Sequence, residues 1–416
     1  MTGNRLFPAQ GRAWEELRAE MDRLKGGDLP WHSGRAYMSS FHADDRIYEH
    51  VKQAYVAFLS ENALFSGGKF KSLKKFEDDI IGMAREIFGE VPGVDGIVTT
   101  GGTESNLLAV KGARSHARRT RPHVKAPEVV LPWSAHPSFD KACDLLDLKV
   151  VRVPLGADWR ADTRAIAGAV TANTIMMVGS APCWPFGLFD PIEELASIAA
   201  RDGIWLHVDG CVGGYVAPFV RKAGFEIPPF DFSVGGVWSM SADLHKYGYA
   251  AKNISTVLFR TTALKELCRF DFNQWNSGEY STYTYAGSRT GGAIAAAWTV
   301  MNLLGEAGYV SLARKSMEVA AKIRAGVESI DGLQVVGDPK AVLIAVTSDR
   351  VDMLQVAKLL ESRGFYPNTN DVPPSLQFVA NPVHLPQVEP MIEALRDAVA
   401  EATAAPSASG SKSRYN

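Results

Sequence analysis

Seven short runs rich in β-branched residues, at 96–100, 128–132, 150–154, 175–180, 205–209, 236–239 and 255–259, constrain this chain more than any other feature. Helical stretches separate most of the earlier runs. A strand that rejoins a sheet through a helix runs parallel to its predecessor, so the pattern predicts a mostly parallel sheet covered on both faces. No long helix fits between the runs near 236 and 255. They predict an antiparallel part of the same sheet.

The chain has 416 residues, more than one hydrophobic core usually holds, so two packed lobes are expected. Residues 1–50 read as an N-terminal arm with one helical pattern at 12–24. Residues 51–305 form the large domain, with helices at 47–62, 72–88 and 293–304 around the sheet. Residues 306–402 form a smaller C-terminal α/β domain, with helices at 310–329, 353–363 and 387–402 and strands at 333–336, 342–346 and 376–379. The Ala/Ser/Gly/Lys-rich tail, 403–416, is expected to be disordered.

Composition excludes several classes. The net charge of −2 offers nothing to nucleic acid or an anionic membrane. The basic stretch from Arg114 to Arg121 reads as the solvated end of a helix. Cys143, Cys183, Cys211 and Cys268 form no CxxC pair, so no metal site is expected and a reducing, cytoplasmic setting is. The first 20 residues lack a signal-peptide core, and no run of 18 apolar residues predicts a transmembrane anchor.

Four segments carry chemistry. Thr99-Thr100-Gly101-Gly102-Thr103-Glu104 ends a strand and opens a helix, with Thr103 expected to cap it. The free amides and dipole there suit a phosphate, although such a segment alone is more often a simple turn. His207-Val208-Asp209-Gly210 places Asp209 at a strand's end, where ligands of α/β sheets bind. There it pairs with a pyridinium nitrogen or caps a loop. Ser241-Ala242-Asp243-Leu244-His245-Lys246-Tyr247-Gly248-Tyr249 surrounds Lys246 with His and aromatic residues. Partial burial is expected to lower its pKa and fit it for a Schiff base. His136, after the 128–132 run, can lie flat on a pyridine ring. Their order along one sheet points to pyridoxal 5′-phosphate, carried on Lys246.

At these residues the chain resembles the fold-type I pyridoxal-phosphate enzymes of the group II decarboxylase superfamily, and within it the sphingosine-1-phosphate lyase family. The resemblance rests on residues 100–105, 134–136, 151–155, 190–194, 207–214, 241–249 and 286–289, with Ser33-Gly34 and Tyr37 in the arm. It implies an aspartate aminotransferase-like α/β fold. Lys246 would carry the cofactor, Asp209 pair with the ring nitrogen and His136 stack on the ring. Gly102 and Thr103 would hold the phosphate, with His245 nearby. Gly287 and Ser288 would reach the neighbouring subunit's cofactor, which implies a homodimer with shared sites. The implied reaction is retro-aldol cleavage of a β-hydroxy amine, small or lipid, with Lys252, Tyr249 and Tyr37 as candidate bases.

The chain also departs from the family. Asn62-Ala63-Leu64-Phe65 and Pro185-Phe186-Gly187 carry Phe where the family has His, Cys183 stands for Asn or Gln, and Arg35 for a small residue. The first lost His belongs to the family's site for the substrate phosphate. The substrate's head group therefore differs, or Arg35 binds it from another direction. α-Decarboxylation of an amino acid, cleavage of a non-phosphorylated β-hydroxy amine or amino acid, and cofactor binding without catalysis stay open as alternatives.

Overall fold

The computed structural model describes residues 6–38 and 41–405. Its centre is a seven-stranded sheet of β1 (Asp95–Thr99), β2 (Glu128–Pro132), β3 (Lys149–Val153), β4 (Thr174–Ser180), β5 (Trp205–Asp209), β6 (Val237–Ala242) and β7 (Ser255–Phe259), in the order β1-β7-β6-β5-β4-β2-β3. Only β7 runs against its neighbours, β6 and β1. The antiparallel part lies where the missing helix between the last two runs placed it.

Alternation along each strand splits the core in two. Val129 and Leu131 of β2 pack under helix Gly102–Thr120, whereas Val130 between them joins Ile192 and Leu195 of helix Ile192–Asp202 on the other face. Strands β2, β4, β5 and β7 are buried at every residue, so both faces must be apolar or internally satisfied. The exceptions are paired: Trp205 Nε1 donates to Ser239 Oγ at 2.7 Å.

A hairpin of β8 (Phe270–Trp275) and β9 (Gly278–Thr282) follows, largely exposed and not foreseen in the sequence. The two expected helices after it lie within Gly291–Glu328, separated by a kink at Gly305 (φ 54°, ψ −173°). Its start lies close against helix Asp45–Ala57: a Cβ on Gly292 would come within 2.6 Å of the Tyr55 carbonyl oxygen. A second, antiparallel sheet of β10 (Gln334–Val335), β11 (Leu343–Thr347), β12 (Asn368–Asp371) and β13 (Pro374–Val379) follows, with helices Met353–Ser362 and Val388–Ala404. Strand β12 was also unforeseen. The last helix runs past the expected 402, and residues 406–416 of the expected tail lie outside the described residues. No helix among the described residues is long and apolar enough to cross a membrane.

Candidate active site

The parallel strands all end at one edge of the sheet. A cavity of about 360 Å³ opens there, lined by Gly101, Gly102 and Thr103 after β1, His136 after β2, Asp209 at the end of β5, and Asp243, His245 and Lys246 after β6. The sequence motifs scattered from 101 to 246 thus meet at one point.

Gly101 (φ 154°) occupies the N-cap position of helix Gly102–Thr120, without a side-chain cap. The expected cap by Thr103 is not made. Instead the carboxylate of Glu104 accepts from the Thr100 amide at 2.6 Å and its hydroxyl at 2.7 Å, leaving the Gly102 and Thr103 amides to the cavity. First-turn amides have no intrahelical acceptor, so they are open to an anion. Only glycine fits at 102, because a Cβ there would meet Cys211 Sγ at 2.7 Å and Asp243 Oδ1 at 2.8 Å.

Asp209 is held on three sides. The Cys211 amide donates to Oδ1 at 3.0 Å, Ser241 Oγ to Oδ1 at 3.4 Å, and Asn106 Nδ2 to Oδ2 at 3.3 Å. Asn106 in turn bonds His207 Nε2, and His207 Nδ1 meets Ser239 Oγ at 2.8 Å. Burial pushes His207 down to about 4, so this network is neutral around Asp209.

His136 Nδ1 accepts the Ser138 amide at 3.1 Å, which fixes the ring plane and places any neutral proton on Nε2. Its pKa is lowered, chiefly by burial, despite the nearby Asp209. His245 is similarly lowered by burial, and its Nδ1 is pinned at 2.7 Å from the Ile254 carbonyl oxygen.

Lys246 corrects one expectation. Burial disfavours its ammonium form, but Asp243 Oδ2 lies 3.0 Å from Nζ and reverses the balance, so its pKa is raised. The expected lowering is found at Lys252 instead, where burial and the charge of Lys246 act together.

The other candidates lie outside this cavity. Lys252 and Tyr249 line a neighbouring apolar groove of about 650 Å³, which shares His245 with it. Tyr37 is fully buried, stacked on His384 at 4.2 Å. Burial raises the hydroxyls of both Tyr37 and Tyr249. Gly287 and Ser288 do not line the cavity; Ser288 Oγ accepts from Asn62 Nδ2 at 2.8 Å. Arg35 is tied to Gln387 Oε1 at 3.1 Å, with its guanidinium 5.1 Å from the Phe365 ring, and lines none of these spaces.

Asp243 and Trp184 went unnoticed in the sequence. Asp243 stood in the quoted 241–249 string, three residues before Lys246, the spacing that brings two side chains onto one face of a turn. No sequence signal marked Trp184, whose ring centroid is 5.6 Å from Lys246 Nζ. Trp184 and His136 also wall a second, larger cleft of about 1330 Å³, lined by Trp133, Trp159 and Phe186 and by residues 367–372 around β12.

The pyridoxal-dependent decarboxylase conserved domain matches residues 73–347. A rice sphingosine-1-phosphate lyase is 40% identical over 88% of this chain and 69% of its own length. The chain belongs to the sphingosine-1-phosphate lyase family. The structure of the family's Burkholderia pseudomallei sphingosine-1-phosphate lyase superimposes with a TM-score of 0.91 at 33% identity, covering 96% of this chain and 93% of that one. A probable L-tyrosine/L-aspartate decarboxylase of Methanothermobacter thermautotrophicus is 34% identical over 80% of this chain and 89% of its own length. This family member is therefore a fold-type I, pyridoxal-phosphate-dependent lyase. The cavity fits that cofactor: an open helix N-terminus, a contact only glycine allows, a held carboxylate and a lysine face one space.

Proposed function

We propose that this lyase breaks the Cα–Cβ bond of a β-hydroxy amine, with sphingosine-1-phosphate as the reference substrate and an aldehyde and phosphoethanolamine as products. The meeting of Lys246, Asp209 and His136 with the N-terminus of helix Gly102–Thr120 on one cavity carries this reading. Lys246 provides the amine that holds the cofactor. Gly102 and Thr103 receive its phosphate on their amides, beside His245. Asp209 keeps the ring nitrogen protonated, and His136 covers the ring with a neutral imidazole. The bound cofactor supplies an electron sink for the carbanion left by bond cleavage.

The β-hydroxyl proton needs a base. Lys252 has the best support among the three candidates, because its lowered pKa brings the neutral amine closer to working pH. The raised hydroxyls of Tyr37 and Tyr249 suit packing better than proton abstraction.

We further place Gly287 and Ser288 at the neighbouring subunit's cofactor in a homodimer. Their separation from this chain's own cavity supports it, as do the exposed Phe65, Phe270, Phe272, Trp275 and Tyr285 nearby in the fold. The four unpaired, buried thiols support a reducing compartment such as the cytoplasm.

Product analysis of the cofactor-loaded protein with sphingosine-1-phosphate tests the reading. A long-chain aldehyde plus phosphoethanolamine, absent in Lys246→Ala, supports it. A second reading rests on Phe186, which puts a phenyl ring in the large cleft where the family has an imidazole. It favours a non-phosphorylated β-hydroxy amine. The decarboxylase relative supports a third outcome: carbon dioxide from an amino acid, with no aldehyde from either amine, would replace the retro-aldol reading.

A further inference from the structure

Asp243 is a nearly inaccessible carboxylate, 3% exposed, inside the cofactor cavity. Its Oδ2 lies 3.0 Å from Lys246 Nζ and 3.7 Å from His245 Nε2. Its Oδ1 is buried without a hydrogen-bond partner. Its two oxygens lie 2.8 and 2.9 Å from where a Cβ on Gly102 would stand. Burying a carboxylate with one oxygen unpartnered costs stability, which the Lys246 ion pair at the other oxygen offsets only in part.

We propose that Asp243 is a positioning residue, which aims the Lys246 side chain and sets the pH at which its amine captures an aldehyde. The inference rests on the reading of Lys246 as the cofactor-bearing amine. Capture requires the Lys246 ammonium to lose one proton to solvent. The neutral amine then forms a carbon–nitrogen double bond with the aldehyde carbon. The aldehyde oxygen leaves as water, taking the two remaining amine protons. A carboxylate 3.0 Å away favours the ammonium and so moves capture to higher pH.

The other charged and titratable groups around Lys246 are few. Asp209 and Cys211 face it from the end of β5, His136 from the loop after β2, and His245 and Lys252 from its own loop. The positive charge of Lys252 opposes that of Lys246, and Asp209 is already bonded to Cys211, Ser241 and Asn106. Among the described residues, Asp243 alone forms an ion pair with the amine.

The test is the pH dependence of capture when pyridoxal phosphate is added to cofactor-free protein, followed by visible absorbance. In Asp243→Asn the midpoint is expected to fall by about one pH unit or more, the effect of removing one close opposite charge. Asp243→Glu, which keeps the charge, is expected to return it toward wild type. An unchanged midpoint in Asp243→Asn overturns the proposal. Lysine-selective NMR of the wild-type, cofactor-free protein needs no variant: Lys246 is expected to titrate above free lysine, and a midpoint below it overturns the proposal equally. Lys246→Ala tests the underlying assignment separately, because loss of the Asp243 effect leaves capture intact whereas a wrong lysine leaves it present in Lys246→Ala.

Discussion

The carboxylate of Glu104 accepts the backbone amide of Tyr285 at 2.7 Å, and with its other oxygen the amide of Thr100 at 2.6 Å. One buried side chain therefore joins the turn that opens helix Gly102–Thr120 to the segment that leads into Gly287 and Ser288. Glu104→Ala orphans these donors, along with the amide of Ala286. The expected loss is about 1–3 kcal/mol for each donor left unsatisfied, less where water enters. Urea unfolding of the cofactor-free protein and the cofactor dissociation rate should both register it; an effect on neither would make the bridge dispensable.

Asp209→Asn keeps the shape of the β5 terminus and removes its charge. If Asp209 holds the ring nitrogen protonated, kcat should fall by about 100-fold or more, in line with removal of one preorganised electrostatic contact. Cofactor content should fall far less. Absorbance of the bound cofactor and steady-state kinetics separate the two effects.

Stability should decline on acidification from about pH 6.5 to pH 4. Burial depresses His207 and His384 to about 4 from 6.5, so over that window the unfolded chain binds more protons than the folded one. Their stabilising contribution is complete above 6.5 and is lost as pH falls, on the order of 3 kcal/mol for each histidine. Asp190, pushed by burial up to about 6, acts in the opposite sense between 3.8 and 6. Two histidines outweigh one carboxyl. Urea midpoints measured across this range should show the decline, and a flat profile would contradict it.

Phe186→His returns an imidazole to the wall of the large cleft. If a head group lies there, the preference for a phosphorylated over a non-phosphorylated amine should rise roughly tenfold, the worth of one charge-assisted hydrogen bond. Competition between the two amines reads this ratio directly. No change would place the head group elsewhere.

Association can be probed at the exposed hairpin. Phe272→Glu together with Trp275→Lys puts charge onto side chains that are 45% and 55% exposed. A dimer using this face should dissociate in sedimentation experiments, with cofactor retention weakened in parallel. A dimer of unchanged stability would place the interface on another face.

The sheet was legible because its strands obey a simple rule. Runs such as 128–132 and 205–209 are buried on both sides, so burial forces their composition and their ends can be read to the residue. The hairpin of β8 and β9 escaped notice because its residues face solvent and carry no such constraint. Within the cavity, Lys246, Asp209 and His136 were visible as residue types following strands. The protonation of Lys246 was not. It depends on where the Asp243 carboxylate turns, a matter of side-chain direction that spacing leaves open. Tyr37 in the arm and Lys252 in the loop after Lys246 show the same limit: the family resemblance offers both as bases, and only packing separates a stacked tyrosine from an amine beside the cavity.

His136 and Trp184 stand between the cofactor cavity and the large cleft, serving as wall to both. A compound designed for the cleft would press on the same two rings that frame the proposed cofactor seat. Selectivity among related enzymes can then be sought away from the shared chemistry, at Phe186 and Trp159, whose rings lie 5.5 Å apart and line that cleft but not the smaller cavity.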